Sequence, residues 1–172
     1  MKTKLTLLLI ATASFFIQAQ NTEACTETLS LMATSVKAKD VSGYDYLTTL
    51  RKDCPSFHKS IYSQGEFAIK LKIEKAANPA DKEKYVRDLL KLYDEHDQYF
   101  PNNGAGNKMK KGLALFENKV GTSDEVFQLL DVAFKTDYAN FKYAKAIYVY
   151  FEILVNNHKA NKGIELQQVF DK

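Results

Sequence analysis

Residues 78–101 read NPADKEKYVRDLLKLYDEHDQYFP, and this stretch decides the fold class. Asn78-Pro79 breaks the chain and places proline where a first helical turn tolerates it. From Ala80 to Phe100, Tyr85, Leu89, Leu92, Tyr93 and Tyr99 recur on one side. Asp81, Glu83 and Lys84 open the opposite, polar side. That spacing predicts one long amphipathic helix. Pro101-Asn102-Asn103-Gly104 ends it in a loop.

The same pattern extends toward the N-terminus. Leu29, Met32, Ala33 and Val36 fall at helical spacing within Glu27–Lys39, and Asp40–Gly43 interrupts them. Tyr44, Leu47 and Leu50 mark a second helix to Asp53, stopped by Cys54-Pro55. Ser56 is the expected N-cap of a third helix over Phe57–Ala77, with Ile61, Tyr62, Phe67, Ala68, Leu71 and Ile73 as its apolar set. Gly65 inside it costs about 1 kcal/mol relative to alanine unless a neighbour packs close.

Toward the C-terminus, Met109, Leu113, Leu115 and Phe116 predict a helix over Asn107–Val120, with Gly121 as its C-terminal cap. Thr122 with Glu125 fits a capping box for the next helix, which carries Val126, Leu129, Leu130, Val132, Ala133 and Phe134. A long helix follows from about Tyr138 to Asn157. Its expected core side is Phe141, Ala144, Ile147, Tyr148, Phe151, Leu154 and Val155. Asn161-Lys162-Gly163 breaks it, and Ile164–Lys172 opens one more helix. Leu166 and Phe170 there need a partner: either the preceding helix, or further helices of a longer array. The second reading is preferred. No stretch alternates with period two for long. The expectation is an all-α protein of about eight helices in antiparallel hairpins.

Composition narrows the class. Hydrophobic residues make up 45% and charged residues 26%, as in an ordinary globular domain. Only 7 glycines and 3 prolines disfavour a turn-rich β-sandwich. The net charge is +3, and losing Lys2 and Lys4 with a leader lowers it to +1. Such a balance offers no electrostatic case for nucleic acid or for an anionic membrane.

The leader is Met1–Gln20, MKTKLTLLLIATASFFIQAQ. Lys2 and Lys4 are a basic start, Leu5–Ile17 is almost wholly apolar, and Gln18-Ala19-Gln20 is a polar exit with a small residue. This is the layout of a cleaved secretory signal over residues 1–19, leaving 20–172 as the mature domain. The apolar run falls short of the roughly 20 residues a membrane span needs, so no stable membrane insertion is expected after cleavage. The expected location is periplasmic or secreted.

Cys25 and Cys54 are the only cysteines. In an oxidising compartment an even count suggests a disulfide between them, worth about 3 kcal/mol; the alternative is two buried thiols. Asn21–Ala24 before Cys25 is polar, acidic and far from the apolar run, which argues against a lipid anchor.

Two helix ends rhyme. Leu47–Pro55 and Leu92–Pro101 both finish in proline, and the prolines stand 46 residues apart. A fixed period of helix pairs marks a solenoid. The segments DCPSFHKSIYSQGEFAIK and NPADKEKYVRDLLKLYDEHDQYFP, within Leu47–Phe100, resemble the secreted tetratricopeptide-like proteins of Bacteroidota. The signal ending in Ala-Gln suits that group, while the tryptophan and the Leu-Gly pair usual in the repeat are missing. The resemblance implies a TPR-like α-solenoid of stacked helix hairpins outside the cytoplasm, with no defined catalytic residues.

No cluster reads as catalytic. Asp94-Glu95-His96-Asp97 holds metal-ligand types, but adjacent helical residues point apart. His58, His96 and His158 lie in no metal motif, and Asn102–Asn107 lacks the strand and lysine-serine pair of a phosphate loop. No cofactor and no metal is expected. Lys108, Lys110 and Lys111 at a helix start form a candidate docking patch for an acidic partner. Tyr138, Tyr143 and Tyr150 form a candidate binding face, Tyr143 and Tyr150 being seven apart on one helix. The expected function is a non-enzymatic exported scaffold that binds a protein or peptide of the cell envelope. The alternative is an envelope enzyme or ligand-binding domain with its site between helices.

Overall fold

The described residues form seven α-helices and one short 3₁₀ turn, with no strand among them. The computed structural model describes residues 22–101, 106–163, 165 and 167. The expected signal, most of the expected loop over 101–104 and most of the last expected helix lie outside them. The helices are α1 (22–37), α2 (Gly43–Asp53), α3 (Ser60–Glu74), α4 (Pro79–Tyr99), α5 (Asn107–Asn118), α6 (Ser123–Thr136) and α7 (Ala144–Lys159). The all-α class is therefore observed. The chain divides into two compact units, Met1–Lys75 and Ala76–Lys172.

In the first unit a disulfide joins Cys25 of α1 to Cys54 at the end of α2. Gly43 lets the two helices approach: a Cβ there would lie 3.3 Å from Val36 Cγ2 and 3.7 Å from the Ala68 methyl. Ser42 Oγ and Ser35 Oγ share a hydrogen bond of 3.2 Å. Met32, Leu47, Leu50, Ile61, Tyr62 and Ile69 fill the core, and the Tyr62 hydroxyl donates to the Pro55 carbonyl.

In the second unit α4 packs on α5, α5 on α6, and α6 on α7. Gly112 is what brings α5 onto α6. A Cβ at that position would come within 2.7 Å of the buried Leu130 side chain. Asn78 caps α4 by accepting from the Asp81 N–H, with Pro79 in the first turn as expected. Between α4 and α5, Asn107 Nδ2 lies 3.2 Å from His96 Nδ1 and donates to Asp97 Oδ1 at 2.8 Å. Arg87 on α4 makes a two-pronged ion pair with Glu125 on α6.

The helix ends follow two recipes. α1, α5 and α7 each stop with a non-glycine residue in the left-handed region: Lys39 (φ 56°), Lys119 (φ 56°) and Asn161 (φ 54°). In each case the next N–H reaches back five residues, Asp40 to Ser35, Val120 to Leu115 and Lys162 to Asn157. This satisfies carbonyls that a helix end leaves open. α2, α4 and α6 stop differently, with caps Cys54 (φ −138°, ψ 38°), Phe100 (φ −137°, ψ 64°) and Asp137 (φ −142°, ψ 38°). Each of these caps donates to the carbonyl four residues earlier. α3 ends at Lys75 (φ −94°, ψ 8°), whose N–H also donates four residues back, to Leu71, but from a different backbone conformation.

Four expectations are corrected. α3 begins at Ser60, because residues 55–59 turn after Pro55 and the His58 ring accepts from the Ser60 N–H; Ser56 caps nothing. Lys119, not Gly121, is the left-handed cap of α5. The capping box at α6 is half made: Thr122 Oγ1 accepts from the Glu125 N–H, while the Glu125 carboxylate is drawn to Arg87. The long helix from Tyr138 is broken, with a 3₁₀ turn at Tyr138–Asn140 and α7 starting only at Ala144.

Replacing Gly112 with valine should lower stability by about 2 kcal/mol through overpacking against Leu130, seen as a lower denaturation midpoint with unchanged slope. Replacing both Cys25 and Cys54 with serine should remove about 3 kcal/mol, given the 29-residue separation. Reductant should destabilise the wild type by a similar amount and leave the serine variant unaffected.

Candidate interaction surface

α7 is apolar on almost every side, so its orientation has to be set by what it packs against. The structure buries Ala146, Val149, Tyr150, Ile153, Leu154 and Asn157. It leaves Ile147 (48% exposed), Tyr148 (64%) and Phe151 (48%) facing solvent. The expected core side of this helix is thus mostly its outer side, and only Phe141 and Leu154 of the expected set are buried.

Tyr150 explains the orientation. Its ring stacks on Phe127 at 5.7 Å and meets Phe134 and Phe141 at 5.5 and 5.8 Å. Its hydroxyl donates to Asp131 Oδ1 at 2.5 Å, and Asp131 Oδ2 also holds Lys135. A buried phenol needs a hydrogen-bond partner, and Asp131 on α6 supplies it. Burial, reinforced by the Asp131 carboxylate, raises the Tyr150 phenol well above its ordinary value. Tyr150 is only 3% exposed and is therefore a core residue, not a member of a binding face.

The other expected site residues are placed as follows. Tyr138 is 69% exposed, with its ring edge-on to Phe134 at 5.2 Å. Tyr143 is 56% exposed and sits at the cap position before α7. Of the expected tyrosine face, these two remain at the surface and Tyr150 does not.

The three lysines at the start of α5 are turned into cross-links. Lys108 donates to Thr136 Oγ1 at 3.0 Å, Lys110 lies 5.4 Å from the centre of the Tyr93 ring, and Lys111 pairs with Asp94 at 2.6 Å. The Asp94–Asp97 cluster answers them: it binds α5 through Lys111 and Asn107. Among the described residues, no group of three His, Cys, Asp or Glu side chains stands where it could hold a metal ion.

The surface that sequence reasoning missed is Ile147, Tyr148 and Phe151. They share one face of α7 with Ala144, which is exposed, and Val155, which is half-buried. Their only sequence signal is that α7 carries more apolar residues than one buried face can use. Beside this face lies a cleft of about 350 Å³ between the α5–α6 turn and α7, with Phe116, Val120, Val126, Glu152, Ile153 and Asn156 among its walls.

Compared with known proteins, the chain matches no family model, no curated protein and no solved structure.

Tyr150→Phe should cost about 1–2 kcal/mol, because it removes a hydrogen bond to a charged acceptor and leaves Asp131 to Lys135. The raised phenol also has a pH signature. A raised folded value means the stability it contributes is complete below about pH 10, the unfolded value, and is lost as pH rises beyond it. Denaturation midpoints measured from pH 8 upward should fall less steeply in Tyr150→Phe than in the wild type.

Proposed function

We propose that the protein is an exported, tetratricopeptide-like helical-repeat scaffold, non-enzymatic, that binds a protein or peptide in the periplasm or outer envelope. The observation that carries this reading is the exposed apolar face of α7. Apolar side chains clustered on one face mark interaction sites more often than scattered ones do. Aromatic residues are also the ones enriched where proteins meet.

Other features agree with it. The alternation of left-handed ends on α1, α5 and α7 with the shared cap of α2, α4 and α6 is what a repeated helix pair would generate. Two of the three shared caps, Cys54 and Phe100, precede the prolines that stand 46 residues apart. The Cys25–Cys54 disulfide suits an oxidising compartment, in keeping with the expected export leader. Among the described residues no helix is long and apolar enough to cross a membrane.

The test is photo-crosslinking in intact cells. A photoreactive phenylalanine at Tyr148 should yield a protein adduct in the envelope fraction. The same residue at Lys52, an exposed position in the other unit, should not. Phe151→Asp should abolish the adduct. An absence of any adduct at 148 would sink the reading.

A further inference from the structure

We propose that the partner of the α7 face is a second copy of this chain, docked antiparallel through the same face. The proposal rests on the reading of that face as a binding surface and names its occupant.

The first ground is spacing. Ala144, Tyr148, Phe151 and Val155 follow one another at intervals of four, three and four residues. That is the seam of two helices packed along their length. Here the seam is presented to solvent with Tyr148 and Phe151 at its middle.

The second ground is charge. Lys145 and Glu152 each follow a seam residue by one position, so they lie on the same flank, seven residues apart. A two-fold axis crossing α7 between Tyr148 and Phe151 places Tyr148 over Phe151 of the second copy, and Phe151 over its Tyr148. It places the small Ala144 over Val155 of the second copy. It also sets Lys145 beside Glu152 of the second copy, and the symmetry repeats that pair. One cation and one anion on the same flank, on opposite sides of the seam centre, make the surface complementary to itself. A parallel pairing would instead bring this charged flank against the opposite flank, where the exposed residue is the apolar Ile147.

Lys145 already holds Glu117 at 2.6 Å, with both side chains nearly half exposed. An exposed pair of this kind contributes little and exchanges readily for another. α7 has 16 residues, and the seam from Ala144 to Val155 takes up about 18 Å of its length. A single helix pair of that length lies toward the small end of stable interfaces, so the dimer is weak and depends on concentration.

Sedimentation velocity on the purified protein between about 1 and 500 μM tests this, a span that brackets weak association. The expected result is a shift from one chain mass to two. Phe151→Asp should hold the protein at one chain mass, with unchanged helicity by circular dichroism because Phe151 is half exposed. Lys145→Glu and Glu152→Lys should each weaken dimerisation by about fivefold at low salt. The double charge swap should return it to within about twofold of the wild type. A monomer throughout the range overturns the proposal, whether the face is then free or covered by the chain's own residues 164–172. A dimer that survives Phe151→Asp, or a double swap no better than the singles, overturns it equally. Mass spectrometry of the Tyr148 adduct separates the two readings. A different protein there removes self-docking and leaves the scaffold standing, whereas no adduct removes both.

Discussion

The hydroxyl of Tyr150 on Asp131, inside a shell of Phe127, Phe134 and Phe141, sets the phase of α7. An aromatic ring of this size buries a large apolar area, but its polar tip must also be satisfied. One position meets both demands, and it brings Ala146, Val149, Ile153 and Leu154 inward with it. Ile147, Tyr148 and Phe151 are then turned outward by the geometry of the helix alone. The surface on which the functional reading rests is thus a consequence of a core hydrogen bond.

The rest of the second unit is held by close approach and by short polar ties. Gly112 admits Leu130, so α5 and α6 pack nearer than any larger residue would permit. Asp94, Asp97 and His96 receive Lys111 and Asn107, and Arg87 spans from α4 to Glu125 on α6. In the first unit a covalent bond does comparable work between α1 and α2. Lys39 and Lys119 take up the left-handed region against the preference of a lysine, whereas Asn161 tolerates it.

Much of the fold was legible because helix signals are local. Pro79 stands in the first turn of α4 and Thr122 caps α6 as expected, since a side-chain oxygen needs only the N–H groups of the next turn. The disulfide was expected from two cysteines behind a stretch that reads as an export leader. Ser56 failed as a cap because Pro55 commits the following residues to a turn. Gly121 failed because Leu115 and Phe116 already accept bonds from Lys119 and Val120. The lysines at 108, 110 and 111 read as a docking patch, yet each finds a partner within the fold. Those partners lie 17 to 28 residues away for Lys111 and Lys108, beyond the reach of any local pattern.

By itself, the sequence determined the helical class and most helix limits, and it left Cys25 and Cys54 a single possible pairing, because periodicity, capping and cysteine count act over short range or admit one solution. Only the tertiary structure decided which side of α7 is buried. A helix apolar all round has no preferred phase until a neighbour imposes one, and Asp131 with the phenylalanines of α6 imposes it through Tyr150.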